Sequence, residues 1–143
     1  LLEIKLFVDG GIRNKQMALG FIAYDMDDNY LFSDCRLCGK NGTSNISEYR
    51  ALIAGLAMSM HNDVDIIHIF SDSQLMVKQI TGAFKVKKEE LIAHNSLVMS
   101  FLDHFLSYTI KWIPRAENQK ADDLVNEVFG MKSQKTQKRG KKK

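Results

Sequence analysis

Four acidic side chains of this sequence stand where chemistry can be placed: Asp9, Glu48, Asp72 and Asp122. Asp72 follows Ile66 to Phe70, an apolar, β-branched run that breaks off at Ser71-Asp72-Ser73, as a buried strand does when it delivers a carboxylate to a sheet edge. Asp9 likewise ends the run Ile4 to Val8, while Glu48 and Asp122 fall early in two amphipathic helical patterns, on the flanks of their apolar faces. Each acid taken alone has a plainer account. Asp9-Gly10 forms turns, Asp72 or the neighbouring Ser caps a helix, Glu48 completes a capping box begun by Asn45, and Asp122 and Asp123 complement a helix dipole. Taken together they can be gathered at one edge of a mixed sheet, where four carboxylates repel one another unless cations neutralise them. An oxygen-only, strongly anionic site suits Mg²⁺ or Mn²⁺. Two such ions about 3.5 to 4 Å apart activate water and stabilise the leaving oxygen of a phosphodiester, so phosphoryl chemistry is the leading expectation.

The elements that must position these acids can be read from periodicity. Ile4 to Val8, Gly20 to Asp25 and Tyr30 to Leu37 are expected strands; the polar cluster Met26 to Asn29 joins the second to the third, and short connections make the three an antiparallel meander. Ile46, Tyr49, Leu52, Ile53, Leu56, Ala57 and Met60 recur at helical spacing, which places Glu48 beside the sheet edge without burying it in the core. After the central strand and its helix, a short basic connector from Thr81 to Lys88 leads to a helix from about Glu89 to Leu106, with Leu91, Leu97, Val98, Phe101, Leu102 and Phe105 as its apolar face. Tyr108 to Ile113 is a last strand stopped by Pro114, and a final helix opens with Asn118 as its expected N-cap. On that helix Asp122 is aimed at the body of the protein and Asp123 nearly opposite.

Composition restricts the remaining classes. With 143 residues, 45% of them hydrophobic, the chain is long enough for one buried core and too short for two ordinary domains, so residues 1–131 are expected to form one. No apolar run approaches the ~20 residues of a membrane span and no signal-peptide pattern opens the chain, so a soluble, cytoplasmic protein without a membrane partner is expected. Cys35 and Cys38 lack the second pair a zinc site wants and read as free thiols. Of the 20 Lys and Arg, seven lie in residues 132–143, which hold no acid, leaving 13 against 17 Asp and Glu in the rest. An acidic body thus carries a basic tail, expected to be disordered and to meet nucleic acid phosphates.

Four segments, V-D-G-G at Val8 to Gly11, T-S-N-I-S-E-Y at Thr43 to Tyr49, S-D-S-Q at Ser71 to Gln74 and N-Q-K-A-D-D-L at Asn118 to Leu124, resemble the ribonuclease H type 1 family in order and spacing. G-A-F-K-V-K from Gly82 to Lys87 resembles its compact members, which lack a longer basic protrusion. The resemblance implies an α/β fold with a five-stranded mixed sheet in order 3-2-1-4-5, strand 2 antiparallel, flanked by helices. It also implies hydrolysis of the RNA strand of RNA/DNA hybrids with two Mg²⁺ ions (Mn²⁺ an alternative); a monomer is expected. Carried over by motif, Asp9 would bridge both ions, Glu48 and Asp72 would hold the leaving-group ion, and Asp122 the ion that delivers water. Asn45 and Gln74 match residues contacting the minor groove, where 2′-hydroxyls distinguish RNA from DNA. Thr43 matches a phosphate contact. Asn14 falls in a turn, I-R-N-K-Q-M, where relatives place Asn-Pro-Gly, and Arg115 stands where many relatives place a mobile His. Two other classes share these features: a DNA strand-transfer enzyme of the same fold, and a noncatalytic hybrid-binding module.

Overall fold

The computed structural model describes residues 1–130, so the basic tail expected over residues 132–143 lies outside the described residues. Five strands, β1 (Glu3–Arg13), β2 (Gln16–Asp25), β3 (Tyr30–Lys40), β4 (Ile66–Ser71) and β5 (Ser107–Trp112), form one sheet in the order β3-β2-β1-β4-β5. β2 is antiparallel to both its neighbours, whereas β4 runs parallel to β1 and β5 parallel to β4. This is the expected topology, and the first three strands are the expected meander. α1 (Ser44–His61) carries the chain from β3 to β4, α2 (Gln74–Ile80) and α3 (Glu89–Leu102) carry it from β4 to β5, and α4 (Gln119–Val128) follows a 3₁₀ turn over Arg115–Asn118.

Adjacent strand residues point to opposite faces, and two neighbouring glycines separate the layers. A Cβ on Gly10 would strike the backbone of Ser47 and Glu48 in α1, while one on Gly11 would meet Val125 of α4. α1 therefore lies on one face of the sheet and α4 on the other. The α1 face holds the core: Ile4, Leu6 and Val8 of β1, Phe21 of β2, Ile67 and Ile69 of β4, and Leu52 and Leu56 of α1 are all essentially inaccessible to solvent. Among the described residues no helix is long and apolar enough to cross a membrane.

Several boundaries differ from expectation for identifiable reasons. β1 does not end at Asp9; it continues to Arg13, where Asn14 and Lys15, both at positive φ (49° and 65°), make a two-residue turn with the twist hairpins favour. Asn45 does not cap α1, because Thr43 holds that position and its Oγ1 accepts the Ile46 N–H at 3.2 Å. Of the two expected candidates for the α2 cap, Ser73 and not Asp72 takes the position, accepting the Met76 N–H at 3.2 Å. With Thr43 and Ser73 as the caps, Glu48 is released from the capping box and Asp72 from the cap. α3 stops at Leu102, four residues early, as the chain bends to place Leu106 N–H on the Asp65 carbonyl and enter β5. Leu97 of that helix is 42% exposed rather than on the buried face.

Candidate active site

The site is built where two strands part. β1 is paired with β2 from Ile4 to Arg13, but its pairing with β4 ends at Val8 and Ser71. Beyond that point the β1 backbone groups on the β4 side have no strand partner, and buried backbone groups need one. Two side chains supply it. Asn118 donates its Nδ2 to the Val8 carbonyl at 2.9 Å, and Glu48 Oε1 accepts the Gly10 N–H at 2.9 Å. Asp9 sits between these two anchored positions. Asp72 is the first residue past β4, held from behind by Trp112, whose Nε1–H donates to the Asp72 carbonyl at 3.1 Å, while Ser73 N–H donates to Ser71 Oγ at 3.0 Å.

Asp9, Glu48 and Asp72 each offer a carboxylate oxygen within 4.8 Å of the others. Asp9 and Glu48 are buried, at 5% and 8% exposure. The expectation that Glu48 stays out of the core fails: a helical wheel gives an angle but not a distance, and Gly10 lets α1 come down onto β1. Burial, reinforced by the charges of Glu48, Asp72 and Asp122, pushes the Asp9 carboxyl from its ordinary 3.8 up to about 10. Burial raises Glu48 to about 7 against the Gly10 hydrogen bond, which opposes it. Asp72 is also raised by burial, opposed by the Asn118 amide and the Arg115 guanidinium beside it. Without counter-charge, the cluster keeps protons that isolated carboxyls would lose.

Asp122 lines the same cleft, of about 400 Å³, from the α4 side, together with Arg115 and Phe129. Arg115 Nη2 lies 3.4 Å from Asp122 Oδ1, and the Asn126 amide approaches the other oxygen at 3.5 Å. Asp123 turns away and accepts Gln119 Nε2 at 2.7 Å. The structure thus brings Asp9, Glu48, Asp72, Asp122 and Arg115 to one cleft. Thr43, Asn45 and Gln74 stand at the starts of α1 and α2, Thr43 and Gln74 exposed, and none of the three lines the cleft. Asn14 lies at the exposed tip of the β1–β2 hairpin and does not line the cleft.

Two residues of the site escape sequence reasoning. Asn118 reads as an N-cap but makes no capping bond, and Trp112 reads only as a residue of the last strand, where it is 44% exposed. Their partners, Val8 and Asp72, are distant in sequence, so no local pattern announces them.

A divalent cation fits these residues. All the donors are carboxylate oxygens, and Glu48 Oε2 is buried with no hydrogen-bond partner. A buried anionic oxygen without a donor costs several kcal/mol, on the order of that of an unpaired charge, and coordination to a hard cation removes that penalty.

Known proteins share this architecture. The family described as reverse transcriptase-like matches residues 7–128. The crystal structure of ribonuclease H type 1 from the halophilic archaeon Halobacterium salinarum is 31% identical, with 90% of this chain and 98% of that one covered at a TM-score of 0.86. The N-terminal ribonuclease H domain of a Mycobacterium tuberculosis protein is 28% identical, covering 91% and 95%, also at 0.86. A type 1 ribonuclease H from compost, crystallised with an RNA/DNA hybrid, is 30% identical, covering 89% and 96% at 0.82. At full length, the chain spans 37% of the mycobacterial relative and 64% of the halobacterial one. The segment between α2 and α3 is the eight-residue connector alone, with no added helix. In sequence and in fold, the chain belongs to the ribonuclease H type 1 family, in its compact form.

Proposed function

We propose that this chain hydrolyses the RNA strand of RNA/DNA hybrids, using divalent cations held by Asp9, Glu48, Asp72 and Asp122. The observation that carries the reading is the fork between β1 and β4, which packs three carboxylates within 4.8 Å and leaves a Glu48 oxygen without a donor. That arrangement is unfavourable in isolation and is relieved by a bound cation. Ions bound there would polarise the scissile phosphate and help ionise an attacking water. The protein's own contribution is to fix the oxygens: Gly10 orients Glu48, Trp112 and Ser71 hold the loop carrying Asp72, and α4 brings in Asp122. Arg115, 78% exposed, leans over Asp122 and supplies a positive charge to the cleft mouth. Asn45 and Gln74, at the starts of α1 and α2, would meet the minor groove, and Thr43 a phosphate. The compost relative with its bound hybrid supports this substrate class.

Incubation with labelled RNA/DNA hybrid, matched double-stranded RNA and double-stranded DNA, with Mg²⁺ or with chelator, tests the reading. Mg²⁺-dependent cutting of the hybrid's RNA strand alone is expected. Joining of DNA ends would instead favour a strand-transfer enzyme, and binding without cutting a noncatalytic module.

The two neighbouring acids of α4 should separate in the same assay. Asp122→Asn is expected to lower turnover by about a hundredfold or more, ~2.7 kcal/mol of barrier. Asp123→Asn, whose partner is Gln119 outside the cleft, should stay within about twofold, in the range of ordinary surface changes. Equal losses would mean that the ligand set is wrong.

On this reading the seven basic residues of 132–143 add sequence-independent contacts to phosphates. Deleting them should raise KM for long hybrids at low salt with kcat unchanged, the mark of lost uniform binding. The difference should fade as the Debye length falls toward ~3 Å near 1 M salt. An unchanged KM at low salt would remove the tail from substrate binding.

A further inference from the structure

We propose that Asn118 is a positioning residue of this site: its side-chain amide fixes the separation of Asp9 and Asp72 by holding the chain at the point where β1 and β4 part. The inference rests on the functional reading above and assigns a part that the four acids cannot play for themselves.

Asn118 is 1% exposed and stands at the junction of the 3₁₀ turn and α4, where a capping side chain is expected. It caps nothing. Its Nδ2 instead crosses to β1 and donates to the Val8 carbonyl at 2.9 Å, a contact between residues 110 apart in sequence. Val8 is the last β1 residue paired with β4, and its partner is Ser71. The residues immediately after that final pair are Asp9 and Asp72, so whatever holds this rung sets where both carboxylates begin. The same amide lies beside the Asp72 carboxylate and favours its charged form.

The orientation of the amide is determined by its surroundings. Oδ1 is buried and has no donor, which at first sight invites the opposite assignment of oxygen and nitrogen. Turning the amide over, however, would set Oδ1 against the Val8 carbonyl, acceptor facing acceptor. Nδ2 therefore faces β1, and the orphaned oxygen is the penalty for that choice. A side chain kept buried with one polar atom unsatisfied is poorly explained by stability alone. Positioning explains it, because ligand oxygens must be held to within about 0.5 Å to be effective. The 3₁₀ turn also carries Arg115, which meets Asp122 at 3.4 Å. One four-residue turn thus reaches acids on both sides of the cleft.

The test compares Asn118→Ala, which removes the amide, with Asn118→Ser, which keeps a short donor with room for a bridging water. Three quantities are measured: Mn²⁺ affinity of the free protein by calorimetry, kcat and KM on a hybrid, and melting temperature in chelator. The expected result for Asn118→Ala is an Mn²⁺ affinity and a kcat each about tenfold or more below the parent, with KM unchanged and partial recovery in Asn118→Ser. A merely structural residue would move the melting temperature alone. Variants that keep the parent's Mn²⁺ affinity and kcat at a temperature where they are folded overturn the proposal, whatever their melting temperatures. A parent protein that fails to cut the hybrid would sink the functional reading and leave the Mn²⁺ affinities to decide this one.

Discussion

Asp9→Asn is expected to eliminate hybrid cleavage and, in chelator at neutral pH, to leave the protein more stable than the parent. The loss of activity follows from position: Asp9 lies between the two anchored groups of β1 and faces both Glu48 and Asp72. Removing its charge should reduce turnover by about a thousandfold or more, ~4 kcal/mol. The gain in stability follows from the raised carboxyl. Unfolded, Asp9 titrates near 3.9; folded, it holds its proton up to about 10. Between those values the folded state binds more protons than the unfolded state, so stability falls as pH rises. The parent in chelator should therefore lose melting temperature steadily from about pH 4 upward. Asp9→Asn should be flatter, retaining a slope that Glu48, raised to about 7, contributes below neutrality. Adding Mg²⁺ should reverse the ranking, because a ligand that binds only the folded parent stabilises it by mass action. Thermal melts from pH 5 to 9, with chelator and with Mg²⁺, check each step. A variant less stable than the parent in chelator throughout would mean that Asp9 is a structural carboxylate.

The second large effect concerns a residue with no functional group. In Gly10→Ala the new Cβ would sit 2.3 Å from the Ser47 carbonyl carbon and 2.5 Å from the Glu48 nitrogen. Both are backbone atoms, so no rotamer change relieves the clash and α1 must lift from β1. Overpacking against fixed backbone costs about 3 kcal/mol, which is roughly 10 °C of melting temperature for a domain of this size. The same lift withdraws Glu48 from the Gly10 N–H, so cleavage should fall even at temperatures where the variant stays folded. Gly82→Ala is the control. Its Cβ would meet nothing within 4 Å and its cost is the strain of φ +87° alone, on the order of 1 kcal/mol. Equal melting temperatures for the two variants would contradict the close approach of α1 to β1.

How far the sequence announces all this depends on the range of the interaction. Asp72 at the end of β4 is plain from a local apolar run, and the meander follows from short polar connections. The strand order and the grouping of four acids rest on motifs in register, since periodicity alone leaves every acid with a capping, turn or helix-dipole explanation. For Asp9, Glu48 and Asp72 those explanations fail through details that no window of sequence contains, whereas Asp122 does stand in the first turn of α4. Asp9-Gly10-Gly11 has turn composition yet lies inside β1, because Asn14 and Lys15 accept left-handed backbone without a glycine. Glu48 is buried because a glycine 38 residues away admits its helix. Asn118 is misjudged because its partner is on another strand, and cap composition cannot distinguish a side chain that bonds its own helix from one that bonds across the fold.

The junction of β1 with β4 also bears on how the molecule is made. The meander joins residues near in sequence and can form early, whereas the parallel rung at Val8 and Ser71 must wait for the whole α1 crossover to close a long loop. That rung is the one that carries Asp9 to Asp72. The cost of crowding the acids, met by the protons they retain, therefore falls on that non-local step, and the event that completes the sheet is the same event that assembles the acids.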